Sequence, residues 1–373
     1  MKLKVLGNIF FLFLFSMSLR AQSDKNPVGQ ATMEKVYNEI KTPYKYGLVV
    51  VPTANSKKLD CPSVFRKGRN WYMTYIIYDG RGYETWLAKS KNLLEWRTLG
   101  RIMSFSDSSQ WDTNQKAGYV ALEDTQWGGS YEWQAYNGKH WMSYFGGNSR
   151  GYEAGLLSIS MAYTEKDPTK VHEWTRLGHP VLRPDDPDVR WWENHTMYKS
   201  SVIWDKGKTT GYPFVMYYNA NGDSLSKKRG AERIGMAVSN DMVTWKRFMR
   251  DPVINHHRGI SGDAVLQKID DVWVMFYFGA FYPGIKGASN RFACSYDLVN
   301  WTDWSGPSLI EPSEKYDEVF AHKSYVVKYR GVVYHFYCAV NKLDQRGIAV
   351  ATSRDMGKSK VNFLFKKSKS DNK

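Results

Sequence analysis

Apolar and polar positions alternate along most of this chain in short runs, and the runs come in pairs. Each pair is an apolar segment, a polar turn and an aromatic segment, and the pattern recurs five times. The first two cases are Pro62-Ser-Val-Phe65 with Trp71-Tyr-Met-Thr-Tyr75, and Tyr131-Glu-Trp133 with Trp141-Met-Ser-Tyr144. Ser201-Val-Ile-Trp204 with Phe214-Val-Met-Tyr-Tyr218 and Ala264-Val-Leu266 with Trp273-Val-Met-Phe-Tyr277 follow. The last is Ser324-Tyr-Val-Val327 with Val333-Tyr-His-Phe-Tyr337. A period of two between Gly, Asn, Asp and Lys turns predicts antiparallel strands.

A second phrase closes most of these pairs. Ser90-Lys-Asn-Leu-Leu-Glu-Trp96, Val171-His-Glu-Trp174, Ser239-Asn-Asp-Met-Val-Thr-Trp245 and Ser295-Tyr-Asp-Leu-Val-Asn-Trp301 end alike, and Ser353-Arg-Asp-Met356 begins the same way. Repetition on this scale predicts an all-β fold, a five-bladed β-propeller over residues 60–356. A sandwich of similar size does not repeat so.

The ends read differently. Lys2 and Lys4 precede an apolar run over residues 5–17 and a small residue at Ala21, which predicts a signal peptide over residues 1–21 and export to the periplasm or beyond. Residues 22–59 are expected to pack on the propeller, and residues 357–373 form a basic tail. Cys61, Cys294 and Cys338 are too few and too scattered for a disulfide framework or a zinc motif. They read as small buried hydrophobes.

The formal charge is +15. Removing Lys2, Lys4 and Arg20 leaves +12, and the six Lys against one Asp from Lys358 onward reduce the body to +7. Such a balance suits an anionic ligand, but it speaks to association and not to chemistry. No basic stripe with a nucleic-acid reader motif is present, so nucleic acid is not an expected partner. A mature chain without a further apolar span is not expected to cross a membrane. No cofactor or metal is demanded, since no acidic cluster has calcium spacing.

The phrase Gly68-Arg-Asn-Trp-Tyr-Met-Thr-Tyr75 and the repeated Ser-x-Asp-Leu/Met-Val-x-Trp resemble the propeller glycoside hydrolases of family 43 and its relatives, families 117 and 130. The resemblance implies a site on the propeller axis, built from the first residues of the innermost strands. Those are Asp60-Cys61, Ser130 to Glu132, Tyr198-Lys199, Gly262-Asp263 and His322-Lys323. It implies that Asp60 is the base carboxylate. Where family 43 would place its acid, this chain has Tyr198 and Lys199, and the nearest carboxylate is Glu193 in Trp191-Trp-Glu-Asn-His195. Asp263 and His322 resemble the family 117 arrangement, in which a His takes the acid role.

Lys199 and Lys323 have two readings: ion pairs with Asp60, Asp263 or Glu132, or recognition of a carboxylate or sulfate on a sugar. Tyr198, Glu132, Trp127 and His195 complete the expected substrate contacts. The leading expectation is an inverting glycosidase acting at the non-reducing end of anionic oligosaccharides. The alternative is β-elimination from a terminal uronic acid, with His322 or Tyr198 moving the proton beside the two lysines. A carbohydrate-binding propeller without catalysis is a further alternative.

Overall fold

The computed structural model describes residues 27–364 apart from 107–109, 224–229, 284 and 286, so the leader and most of the basic tail lie outside the described residues. The repeated phrase is a turn whose polar residues satisfy the backbone. In residues 239–245, Ser239 Oγ accepts the N–H groups of Asp241 and Met242, and Asp241 Oδ1 accepts those of Val243 and Thr244. Trp245 Nε1 then donates to Met242 O at 3.1 Å. Ser295 and Asp297 build the same turn, as do Ser90 and Asn92. In each, the apolar residue third after the Ser position takes a left-handed φ: 68° at Leu93, 67° at Met242 and 67° at Leu298. That conformation is unfavourable for Leu and Met, but it drops a fully buried side chain into the core while Ser and Asp/Asn absorb the N–H groups.

These turns join the third and fourth strands of antiparallel meanders. One meander runs Lys58–Lys67, Asn70–Tyr78, Tyr83–Ser90 and Trp96–Met103. The next leads with Gln115–Val120 and continues through Lys139–Gly147, Ser158–Thr164 and Thr175–Arg176. Others lead with Thr196–Trp204, Ile260–Ile269 and Phe320–Tyr329. The last of them takes its outer strand from the opposite end of the chain, where Tyr44–Val50 pairs antiparallel with Arg346–Thr352. Single parallel bridges, Tyr83 to Gln115, Glu232 to Ile260 and Ala288 to Phe320, link successive meanders. Together they make two large sheets. The leading strands touch one another in chain order, and Phe320–Tyr329 returns to touch Lys58–Lys67.

The second leading strand differs from the sequence expectation. Tyr131-Glu-Trp133 is a loop excursion held by isolated bridges from Arg66 to Glu132 and Glu123 to Trp133, and Gln115–Val120 takes the strand position. The only α-helix among the described residues, Gln30–Ile40, buries Met33, Val36 and Ile40 against Ile269, Val272, Phe276 and Val333. All three cysteines are buried and unpaired.

Candidate active site

Four leading strands break register at a comparable point: between Asp60 and Ser63, Met197 and Ser200, Gly262 and Val265, and His322 and Tyr325. A bulge inserts an extra residue and re-aims its side chain. Cys61, Asp263 and Lys323 sit in these bulges with φ of 48°, 59° and 63°. The result is one cavity of about 180 Å³, whose polar lining comes from Tyr198, Lys199, Asp263, His322 and Lys323 together with Glu153, Glu232 and Arg346.

One side of the cavity is an ion network. Lys323 Nζ donates to Asp60 Oδ2 at 2.7 Å and lies 4.0 Å from Glu153 Oε1. Arg346 Nη1 is 3.5 Å from the same Asp60 oxygen and donates to the Tyr152 hydroxyl. Burial pushes the Asp60 carboxyl up, but Lys323, His322 and Arg346 outweigh it and hold the group well below the usual carboxylate range. Glu153 answers differently. Burial raises its carboxyl, and Lys323, already claimed by Asp60, does not bring it back. Two acids sharing one lysine are thus driven apart, one firmly ionised and one inclined to keep its proton.

On the other side, Lys199 Nζ is buried, has no hydrogen-bond partner, and lies 4.0 Å from Asp263 Oδ2. Asp263 Oδ2 also accepts the Cys61 thiol at 3.2 Å. Asn219 bridges the wall, donating from Nδ2 to Glu232 Oε2 at 3.3 Å while its Oδ1 accepts the Asp263 N–H. His322 donates from Nδ1 to Cys338 O at 3.1 Å, which leaves Nε2 as an acceptor, and burial pushes the ring down to about 3. A neutral imidazole at working pH is a poor proton donor. Asp60, His322 and Cys338 also place potential metal-ligand atoms within 4.8 Å of one another. The set does not suit a cation, because the Lys323 ammonium already occupies Asp60.

Of the residues picked out from sequence, Tyr198, Lys199, Asp263, His322 and Lys323 come together here, while Asp60 is buried behind Lys323 and is not part of the lining. Glu193 lies elsewhere: it is fully buried, accepts Arg247 Nε at 2.6 Å and the Tyr218 hydroxyl, and its neighbours Asp186 and Asp188 share the same arginine. No residue of 180–197 lines the cavity, so His195 is outside it as well. Glu132 is exposed, because its segment is not a leading strand. Trp127 donates from Nε1 to Glu39 at 2.7 Å and packs toward the helix.

Sequence reasoning missed Glu153, Glu232 and Arg346. Glu232 and Arg346 each open the third strand of a meander, as does Ala288, which lines the same cavity. In these three meanders the first position of the third strand therefore reaches the cavity as the leading strands do. A polar residue ahead of a small-residue strand, as in Glu232-Arg-Ile-Gly-Met-Ala-Val, was the available signal. Glu153 comes from a turn with φ of 48° and carries no periodic signature.

Asp60 provides a stability test of this arrangement. Asp60→Asn leaves Lys323 and Arg346 without the buried carboxylate they share, and breaking a buried pair this way costs about 3–5 kcal/mol. We expect the lower part of that range, because loss of the Asp60 charge favours ionisation of Glu153, which lies 4.0 Å from Lys323 and then takes up part of the pairing. Urea denaturation at pH 7 measures it. A depressed carboxyl stabilises fully above its unfolded value of about 3.9 and loses that contribution as pH falls toward the folded value, so the gap between variant and parent closes only in strong acid. Equal stability at pH 7 would show that the network is not stabilising.

No family model matches the chain, and no curated protein matches it. Among solved structures, it is similar to one described as "Glycoside hydrolase", with 55% identity over 91% of this chain and 100% of that one and a TM-score of 0.88. A structure of BT0996 described as an RGII complex is similar at 56% identity, with the same coverage and a TM-score of 0.88. More distant likenesses share the fold. One is a thermostable family-43 glycoside hydrolase, at 17% identity over 82% of this chain and 91% of that one, with a TM-score of 0.56. Another is Zg3597, a family 117 glycoside hydrolase of the marine bacterium Zobellia galactanivorans, at 15% identity over 85% and 92% and a TM-score of 0.57.

Proposed function

This chain belongs to the glycoside hydrolases, sharing a β-propeller-like fold with families 43, 117 and 130, and from that premise we propose that it removes one sugar at a time from the non-reducing end of an oligosaccharide. The meanders are the five blades of a ring, and the cavity on its axis is the site. The observation that carries this reading is the presence of Glu153 and Glu232, two of the three carboxyl groups that line a cavity of about 180 Å³. That space suits a single sugar ring, which favours a terminal residue over an internal one.

Glycoside hydrolysis needs one carboxyl group to protonate the leaving oxygen and a second, ionised one to attack or to activate water. Glu153 fits the acid, since burial favours its protonated form. Glu232 fits the second carboxylate, oriented by Asn219. Asp60, expected from sequence to be the base, is held by Lys323 and serves instead as its counter-ion. Asp263 and Tyr198 are placed to bind sugar hydroxyls. His322, held neutral, offers Nε2 as an acceptor for one more.

The sugar in the cavity is uncharged in this reading. Lys323 is paired with Asp60, and Lys199 lies 4.0 Å from Asp263, so both lysines already face carboxylates. A uronate or a sulfate there would compete with those carboxylates, and elimination would need one of the two lysines released from its counter-ion. The substrate class is a pectic oligosaccharide, supported by the likeness to the BT0996 structure with RGII. Export through residues 1–21 belongs to this reading, and a mature protein beginning at Gln22 by N-terminal sequencing supports it, whereas an intact Met1 in the periplasmic fraction refutes it.

Mass spectrometry of products from rhamnogalacturonan II oligosaccharides tests the reaction. Release of a single neutral sugar with gain of one water is the expected result. Loss of water with a new ultraviolet absorbance would overturn hydrolysis in favour of elimination, and cleavage at internal bonds would overturn the terminal specificity.

A further inference from the structure

Phe281 combines three properties that are rarely found together. It lines the cavity, it is 59% exposed, and its backbone is left-handed with φ of 58°. A large aromatic residue in that conformation is an outlier that persists only where its surroundings fix it. Here they do. The Phe281 N–H donates to Gly287 O at 3.3 Å. Gly259 packs directly beneath: a Cβ there would lie 2.2 Å from Ala280 O and 3.0 Å from the Phe281 carbonyl carbon. The Phe320 ring meets that of Phe281 edge-on, at 5.9 Å and 87°.

Phe320 in turn packs against His322 at 5.5 Å, so a row of rings leads from the cavity, through Phe320, to solvent at Phe281. The same cavity also has a polar lining, which includes Glu153, Lys323 and Arg346. An exposed aromatic continuous with a ligand cavity marks a binding surface. Sugar rings suit such a surface, because one face presents mostly C–H groups while the hydroxyls project at the edge.

We propose that Phe281 is the platform on which the second sugar of the substrate stacks, the one joined to the terminal residue in the cavity. This rests on the reading of the cavity as the site for a terminal sugar. Phe281 is then a residue that selects for an oligosaccharide over a short glycoside. It has no part in the bond cleavage itself, and it acts through the length of glycan bound.

The test measures binding, by calorimetry on the Glu153→Gln protein, of the released monosaccharide and of di- and trisaccharides cut from rhamnogalacturonan II. The expected result is an affinity gain of about 3- to 10-fold on adding the second sugar, the size of an aromatic stacking contact. Adding Phe281→Ala abolishes that gain and leaves monosaccharide affinity unchanged, whereas Phe281→Tyr retains it, which separates stacking from a folding defect. A gain that survives Phe281→Ala, or no gain with length in the Glu153→Gln parent, overturns the platform. If the monosaccharide does not bind and wild-type protein releases no sugar, the cavity reading falls with it. Sugar release by wild-type protein with no length-dependent gain removes the platform alone.

Discussion

Glu153→Gln is expected to lower the rate on natural oligosaccharides by about 10²–10⁴-fold, the usual contribution of a positioned general acid. Glutamine keeps the shape of the side chain and removes only the proton, so the fold should be intact and the loss should fall on kcat. A second signature separates this role from a structural one. Wild-type activity should decline as pH rises through the Glu153 pKa, which burial raises above the ordinary carboxylate value, because the protonated form is the one that works. The variant should lose that alkaline limb. It should also keep much more of its rate on an aryl glycoside whose leaving group needs no proton. An unchanged alkaline limb in the variant would show that another group is the acid.

Glu232→Ala should be as damaging on natural substrates, by about 10²–10⁴-fold, but with a different pattern. A good leaving group should not rescue it, since the missing step is attack and not protonation. Small anions such as azide, entering the space left by the carboxylate, should restore turnover on an aryl glycoside and yield a glycosyl azide. Asn219 donates to Glu232 at 3.3 Å, so Asn219→Ala should mimic the defect weakly. Retention of full activity by the Glu232 variant would remove it from the reaction and turn attention to Asp263, the remaining carboxylate in the lining.

The architecture was legible because its turn is written in local chemistry. Ser at one position, Asp or Asn two later and Trp four after that form a self-contained set of hydrogen bonds, so the phrase is visible wherever it occurs. The second leading strand was misplaced for the opposite reason. Gln115-Lys-Ala-Gly-Tyr-Val120 interrupts its apolar run with a Gln, a Lys and a Gly, all of which the fold buries, while Tyr131-Glu-Trp133 mimics the pattern in a loop. Register decides the site. The bulges that aim Asp263 and Lys323 inward leave no mark on an alternating pattern, and the ion pair from Lys323 to Asp60 joins residues 263 positions apart. Position on the leading strands located several lining residues. Which acid faces the cavity depends on which one claims the lysine, a three-dimensional outcome that linear spacing does not encode.

The outer strand Tyr44–Val50 belongs to the meander completed by Arg346–Thr352, and the hydrogen bond from Thr352 to Tyr44 O spans 308 residues. Contacts so distant in sequence make folding slow, since a long loop must close before they form. An early-synthesised strand must therefore wait, with an unpaired edge, for nearly the whole chain to follow. The final clasp comes after the last strand is made, whereas the other meanders rest on local pairings that can form before it. Until that clasp forms, the waiting edge of the strand is exposed to edge-to-edge aggregation.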